Sequence, residues 1–210
     1  MDWLSIFNNA AGELISPTTA AYALAAIGLS VHFGYAGLLN FGQAGFMAVG
    51  AYAFAIATLS FSAPVWLAIL VAIVASVLFA FILGIPTLRL RADYLAIVTI
   101  AAAEIVRYVV STVGLTDITG GSQGLNGYNR EFQNMNPLPG GTYGIGPWTY
   151  SANDWWVRLF GWGLVILATL LVWLLMRSPW GRVVKGIRED EDAVRSLGKN
   201  VYSYKMQALV

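Results

Sequence analysis

Charge is what this chain has least of. Of its 210 residues only 11% are Asp, Glu, Lys or Arg, against about 25% in soluble domains. The shortage is concentrated, because positions 14 to 88 carry none at all. A soluble domain built on that stretch would turn a large apolar patch to water. A single buried helix cannot absorb it either, since it holds three lengths of about 20 residues, each enough to cross a bilayer. A soluble enzyme, a nucleic-acid binder and a disordered tail are excluded together. Cysteine is absent, which removes disulfides, thiol catalysis and Cys-ligated metals or clusters. His32 is the single histidine, so a multi-histidine metal site is excluded and no cofactor is expected. Met1 to Ser16 carries Asp2 and Glu13 but no Lys or Arg. It therefore lacks the basic region of a secretory signal, and the first apolar segment is expected to be retained.

What is present is apolar length. Residues 18–33, 41–61, 65–84, 94–113 and 159–176 read as membrane-spanning runs, the third preceded by Pro64, a suitable helix-starting proline. The expected fold is all-α: a polytopic transmembrane helical bundle of about five spans with a cytoplasmic helix appended. Glycine interrupts the first two runs at Gly28, Gly34, Gly37, Gly42, Gly45 and Gly50. With Ala44, Ala48, Ala51 and Ala55, these positions suit close helix packing through small residues, the preferred reading. Broken or re-entrant helices around a pathway are the alternative.

Orientation follows from the basic residues. Seven lie between Arg177 and Lys205, and Arg89 and Arg91 separate the third and fourth runs. The segment 114–157 contains only Arg130. The positive-inside rule puts the basic segments in the cytoplasm and 114–157 outside. Five complete crossings then leave the N-terminus outside, whereas an odd number of crossings within residues 18–61 would leave it inside. Trp155, Trp156 and Trp162 mark the outer interface, and Trp173 and Trp180 the inner one.

The segment 177–203 after the fifth run is the most informative. Ser178-Pro179 is a helix start, Val184, Ile187, Val194 and Leu197 recur at helical separations, and Glu191 and Arg195 suit an i, i+4 ion pair. Gly198 is a stop. A break near Glu189 to Asp192 would yield two short helices at the membrane surface. Helices this short are marginal in water, so a docking partner is expected; an ordinary solvated loop is the plainer alternative.

The stretch Gly181-Arg-Val-Val-Lys-Gly-Ile-Arg-Glu-Asp-Glu-Asp-Ala-Val-Arg-Ser-Leu-Gly-Lys-Asn200 resembles the coupling segment of the branched-chain amino acid permeases of ABC importers. Three further stretches fit the same family in order and spacing: Gly34 to Tyr52, Leu90 to Arg107, and Thr119-Gly-Gly-Ser-Gln-Gly-Leu125. Together the four are distributed along residues 28 to 205. The likeness is to the permease subunit with the longer external loop. It implies a non-enzymatic, multi-pass subunit of the bacterial inner (plasma) membrane, embedded in the lipid bilayer. Cytoplasmic ABC ATPase subunits would hydrolyse ATP, a second permease subunit would complete the pathway, and an external solute-binding protein would deliver solute; nucleic acid has no place. ABC permeases dock on their ATPase through a Glu-Ala-Ala-x3-Gly element. Asp192-Ala193-Val194 with Gly198 occupies that spacing, conservatively altered, although the downstream part of the element is not recognisable. The resemblance thus assigns ATPase coupling to Gly181, Arg188, Glu189, Asp190, Asp192, Ala193 and Gly198. Apolar character resumes at Tyr204 to Val210, the pattern of a further span cut short, so the chain is expected to be part of a longer protein.

Other residues carry a sharper and a plainer reading. Glu104 and Arg107 are the charged residues inside the fourth run, where each costs at least ~2.5 kcal/mol on insertion scales. A mutual or interhelical ion pair is preferred over a gate or substrate contact. Asn40 and Gln43 could hydrogen-bond a zwitterionic solute or an unwound backbone, or serve interhelical hydrogen bonds. Thr119, Gly120, Gly121 and Ser122 open a Gly-rich turn that lacks the lysine of a phosphate loop; it suits the external mouth of a pathway or a simple chain reversal. Branched-chain or related neutral amino acids are the expected solutes, with urea or short-chain amides as the alternative within the family. A channel, a secondary transporter or a structural membrane subunit is the competing class.

Overall fold

Within a bilayer a backbone must satisfy its own hydrogen bonds, so apolar runs of spanning length fold as helices. The computed structural model describes residues 2–88, 92–146 and 148–210. Arg89 and Arg91, assigned above to a basic loop, and Pro147 lie outside the described residues. The chain is mostly helical. Pro17–Ala36, Gln43–Ser60, Val65–Thr87, Tyr94–Ser111 and Ala152–Arg177 are long and apolar enough to cross a membrane.

In order, the elements are α1 (Trp3–Leu14), α2 (Pro17–Leu29) continued by a π-helical turn (Ser30–Ala36), α3 (Gln43–Ser60), α4 (Val65–Thr87) and α5 (Ala92–Ser111). A 3-10 turn (Val113–Leu115), α6 (Thr116–Thr119), a second 3-10 turn (Gly121–Gln123) and α7 (Arg130–Asn134) lead to β1 (Thr142–Ile145) and β2 (Trp148–Ser151). The chain ends in α8 (Ala152–Arg177), α9 (Pro179–Glu189), α10 (Glu191–Ser196) and α11 (Val201–Leu209). The strands form an antiparallel hairpin, with Thr142 opposite Ser151 and Ile145 opposite Trp148, an addition to the helical reading of the sequence.

Two compact units are formed, one from Met1–Gly28 and Arg130–Leu174, the other from Leu29–Asn129 and Leu175–Val210. In the first, Asp2 caps α1 by accepting from the Leu4 amide at 3.2 Å. Tryptophan indoles then tie the unit together through backbone carbonyls. Trp148 donates to Asn8 at 3.0 Å, Trp162 to Ile15 at 3.2 Å, Trp155 to Tyr143 at 2.8 Å and Trp156 to Phe132 at 3.2 Å. The first of these bonds puts α1 and the hairpin on the same side. Helix α8 starts at Ala152 rather than 159 because Ser151 accepts from the Asp154 amide at 3.1 Å and donates to its carboxylate at 2.8 Å. That Ser-x-x-Asp cap extends the helix beyond its apolar run.

The second unit packs through small residues. A Cβ on Gly45 would lie 3.0 Å from Ala103 Cα of α5, and one on Gly50 would lie 3.2 Å from Ser76 Oγ of α4. These glycines let backbones approach, as in other membrane helix pairs. Its core gathers Ala36, Leu38, Ala80, Leu88, Leu95, Val184, Met206, Ala208 and Leu209. The π-turn, α4, α5, α9 and α11 therefore share one apolar centre. Gly84 of α4 lies flush against Met206 and Leu209 of α11.

Candidate functional site

Between α2 and α3 the helix is broken. The glycine-rich stretch is thus both closely packed and interrupted, and the two readings of its glycines each describe part of it. Gly37 ends the π-turn with φ +66°, a conformation that suits a residue without Cβ. The amides of Gly37 and Leu38 both bond to the His32 carbonyl, the latter at 2.9 Å. Residues 37 to 42 then run without helical structure.

A break inside a bilayer needs internal partners for its backbone, and here side chains supply several. Asn40 is fully buried. Its Oδ1 accepts from the Gly42 amide at 2.9 Å, and its Nδ2 meets His32 Nδ1 at 3.1 Å. The Phe41 amide donates to Thr99 Oγ1 of α5 at 3.1 Å. Gly42 sits so close to the Thr99 carbonyl that a Cβ would overlap it. Gln43 Oε1 is buried without a hydrogen-bond partner among the described residues.

The segment after α8 docks directly on this break. Ser178 caps α9, accepting from the Gly181 amide at 3.4 Å. A Cβ on Gly181 would lie 2.5 Å from Met176 Cα, so only glycine permits the sharp turn from α8 into α9. Gly181, Val184 and Ile187 form the buried face of α9, matching the apolar spacing read from the sequence. Arg188, half-exposed and 4.0 Å from Glu189, donates to the Gly34 carbonyl of the π-turn. Lys185 Nζ lies 5.3 Å from the centre of the Tyr35 ring, within cation–π reach.

Other candidates have local duties. Asp190 separates α9 from α10 and caps the latter, accepting from the Ala193 amide at 2.9 Å. Arg195 pairs with Glu191 at 2.8 Å and Asp192 at 2.7 Å. Gly198 adopts φ +76° just beyond α10. Glu189, Asp192 and Ala193 face outward, as does Leu197, which is 79% exposed. Val194 is half-buried, so the four apolar residues of the segment do not share one fate.

Glu104 and Arg107 meet at 2.8 Å on α5, and both side chains are more than half exposed. Thr119 is buried, donating to the Leu115 carbonyl at 2.9 Å and accepting from the Gly121 amide at 3.3 Å. Gly120 and Gly121 have positive φ, Ser122 is exposed, and Gly120 abuts the Gly124 carbonyl. This turn folds on itself. Beyond it, Leu125 and Tyr128 join Ala51, Tyr52, Phe54 and Ala55 of α3 around a cavity of about 300 Å3, which sequence reading did not anticipate. Asn40 and Gln43 stand at the start of α3. The cavity opens some eight to twelve residues later, roughly 12–18 Å along the helix, so the two sets are separate places.

Helices of spanning length, a break within them and a short helix seated on that break define a polytopic membrane protein. The chain belongs to the branched-chain amino acid transport system permease component family, whose model matches residues 14–210. It is 35% identical over 207 residues to the high-affinity branched-chain amino acid transport system permease protein LivM of Salmonella typhimurium, covering 92% of this chain and 48% of that protein. To the protein of the same name from Escherichia coli it is 34% identical over 211 residues, with coverage of 92% and 48%. A probable LivM of Methanocaldococcus jannaschii is 28% identical over 229 residues, with coverage of 90% and 59%. The chain spans about half the length of the first two. No solved structure matches it.

Proposed function

We propose that this chain forms the permease core of an ATP-driven importer of branched-chain or related neutral amino acids in a bacterial inner membrane. The observation that carries this is the joining of a family match over residues 14–210 to a surface helix pair seated on a broken membrane segment. Helix α9 presents its apolar face to the bundle, while α10 leaves Ala193 and Leu197, four residues apart, exposed. That outward pair is where a cytoplasmic ATPase subunit would dock, with Glu189 and Asp192 at its edge. Hydrolysis belongs to that partner. A second permease subunit would cover part of the outward surface, including the Glu104–Arg107 pair, whose charges are costly against lipid. An external solute-binding protein would approach the face formed by α1 and the hairpin. The excess of basic residues after α8 supports placing α9 and α10 in the cytoplasm.

The test is purification of the full-length transporter from cells that also express the neighbouring ATPase and permease subunits. An ATPase should co-purify, and its amount should fall sharply in Leu197→Asp and Ala193→Asp variants, which put charge on the exposed face of α10. Asp190 is left alone because it caps that helix. Vesicles holding the complex should accumulate leucine, isoleucine or valine only with ATP. ATP-independent equilibration of solute, with no ATPase bound, would instead establish a channel.

A further inference from the structure

Arg188 is the α9 residue whose role the structure changes most. Its side chain is half-exposed and lies 4.0 Å from Glu189, yet it also reaches the broken segment. Its guanidinium donates to the Gly34 carbonyl, in a helix end where carbonyls lack helical donors. A bond from a guanidinium is charge-assisted and stronger than a neutral one. The Arg188 stem also lies over Gly37: a Cβ there would stand 3.1 Å from Arg188 Cγ and 3.5 Å from its Cβ. Gly37 is thus needed both for its positive φ and for the passage of this side chain. One turn earlier, Lys185 addresses Tyr35 of the same π-turn.

What Arg188 holds is not an ordinary helix. Ser30–Ala36 is π-helical, a rare geometry often found at functional sites, and residues 37 to 42 are not helical. From Gly34 the contacts continue without a gap. His32 meets Asn40, Asn40 holds the Gly42 amide, and the Phe41 amide is held by Thr99 of α5. Gly42 abuts the Thr99 backbone. At its far end α9 passes through Asp190 into α10, with the exposed Leu197.

We propose that Arg188 is a positioning residue that fastens α9 to the broken segment 30–42, so that displacement of the α9–α10 pair is delivered to the break and to α5. The inference rests on the ATP-driven reading above. Val184 and Ile187 seat α9 by apolar contact, which permits sliding; the Arg188 bond is directional and resists it.

The experiment uses the full-length transporter with its ATPase and second permease subunits in liposomes, supplied with the solute-binding protein. The quantity read is solute moved per ATP hydrolysed. In Arg188→Ala this ratio should fall about tenfold, the scale of a typical coupling free energy. Arg188→Lys keeps one donor and one charge and should recover part of it. Gly37→Ala displaces the arginine stem and should lower the ratio in the same direction. An unchanged ratio in Arg188→Ala overturns the proposal, as does a loss of uptake and hydrolysis in equal proportion. Should Arg188→Ala fail to assemble, Arg188→Lys and Gly37→Ala are judged by the same ratio. A wild-type complex without ATP-dependent uptake would remove the importer reading itself; wild-type coupling with an unaltered variant ratio would remove only the role of Arg188.

Discussion

Helix α4 and the stretch from the π-turn through α3 lie in the same unit and solve the membrane problem in opposite ways. Helix α4 is a continuous run of 23 residues with no charged side chain, whose Pro86 falls in the last turn where a kink matters little. Its Ser76 and Thr87 hydroxyls bond back to carbonyls one turn earlier, so these two side chains are satisfied within the helix itself. The stretch 30–60 interrupts itself at residues 37 to 42 and must borrow partners from α5 and from its own Asn40. The first design tolerates substitution; the second concentrates its tolerance limits in a few residues.

The largest effect is expected at Gly42. A methyl group there overlaps the Thr99 backbone, which cannot swing aside, so Gly42→Ala should cost about 3 kcal/mol or more, the upper range of overpacking. On α4, Gly84→Ala meets the flexible ends of Met206 and Leu209 and should cost about 1 kcal/mol by the same mechanism. Thermal midpoints of the purified protein in detergent check the order; equal shifts would erase the distinction between the two designs.

Asn40→Ala comes next. It strips a partner from His32 and from the Gly42 amide, and burying such groups unpaired costs about 1–3 kcal/mol. Hydrogen exchange at residues 37 to 42 should rise while α4 stays protected, and uniform exchange across both would show that the break is not held locally. The smallest effect belongs to the outward face of α4. Ile73 is 58% exposed, and Ile73→Val should change stability by less than about 0.5 kcal/mol.

How much of this was legible beforehand follows the same division. The apolar run 65–84 lies within α4, which continues to Thr87, because its signal is uninterrupted apolar length. Helix α8 begins ahead of the apolar run 159–176, where Ser151 and Asp154 form a helix cap, because capping rather than apolar content sets its start. The break was harder. Six glycines in a membrane run signal close approach more readily than interruption, and here Gly42 and Gly45 do the first while Gly37 does the second. Asn40 among them was the sharper clue, since a buried amide needs partners that a regular helix does not provide. The direction of Arg188 could not be read at all. Helical spacing locates a side chain on a face, but it does not show that the Gly34 carbonyl lies within reach of a half-exposed arginine.

The contact between Arg188 and Gly34 joins residues 154 positions apart, and this sets a timetable for biosynthesis. At translation rates of roughly 5–20 residues per second, the broken segment leaves the ribosome on the order of ten or more seconds before α9 exists. Throughout that interval the π-turn must reside in the bilayer without the Arg188 donor. Thr99 arrives far sooner. The nascent chain can therefore close the α5 side of the break early and must leave the Arg188 side open, making the seating of α9 a late, long-range event in folding.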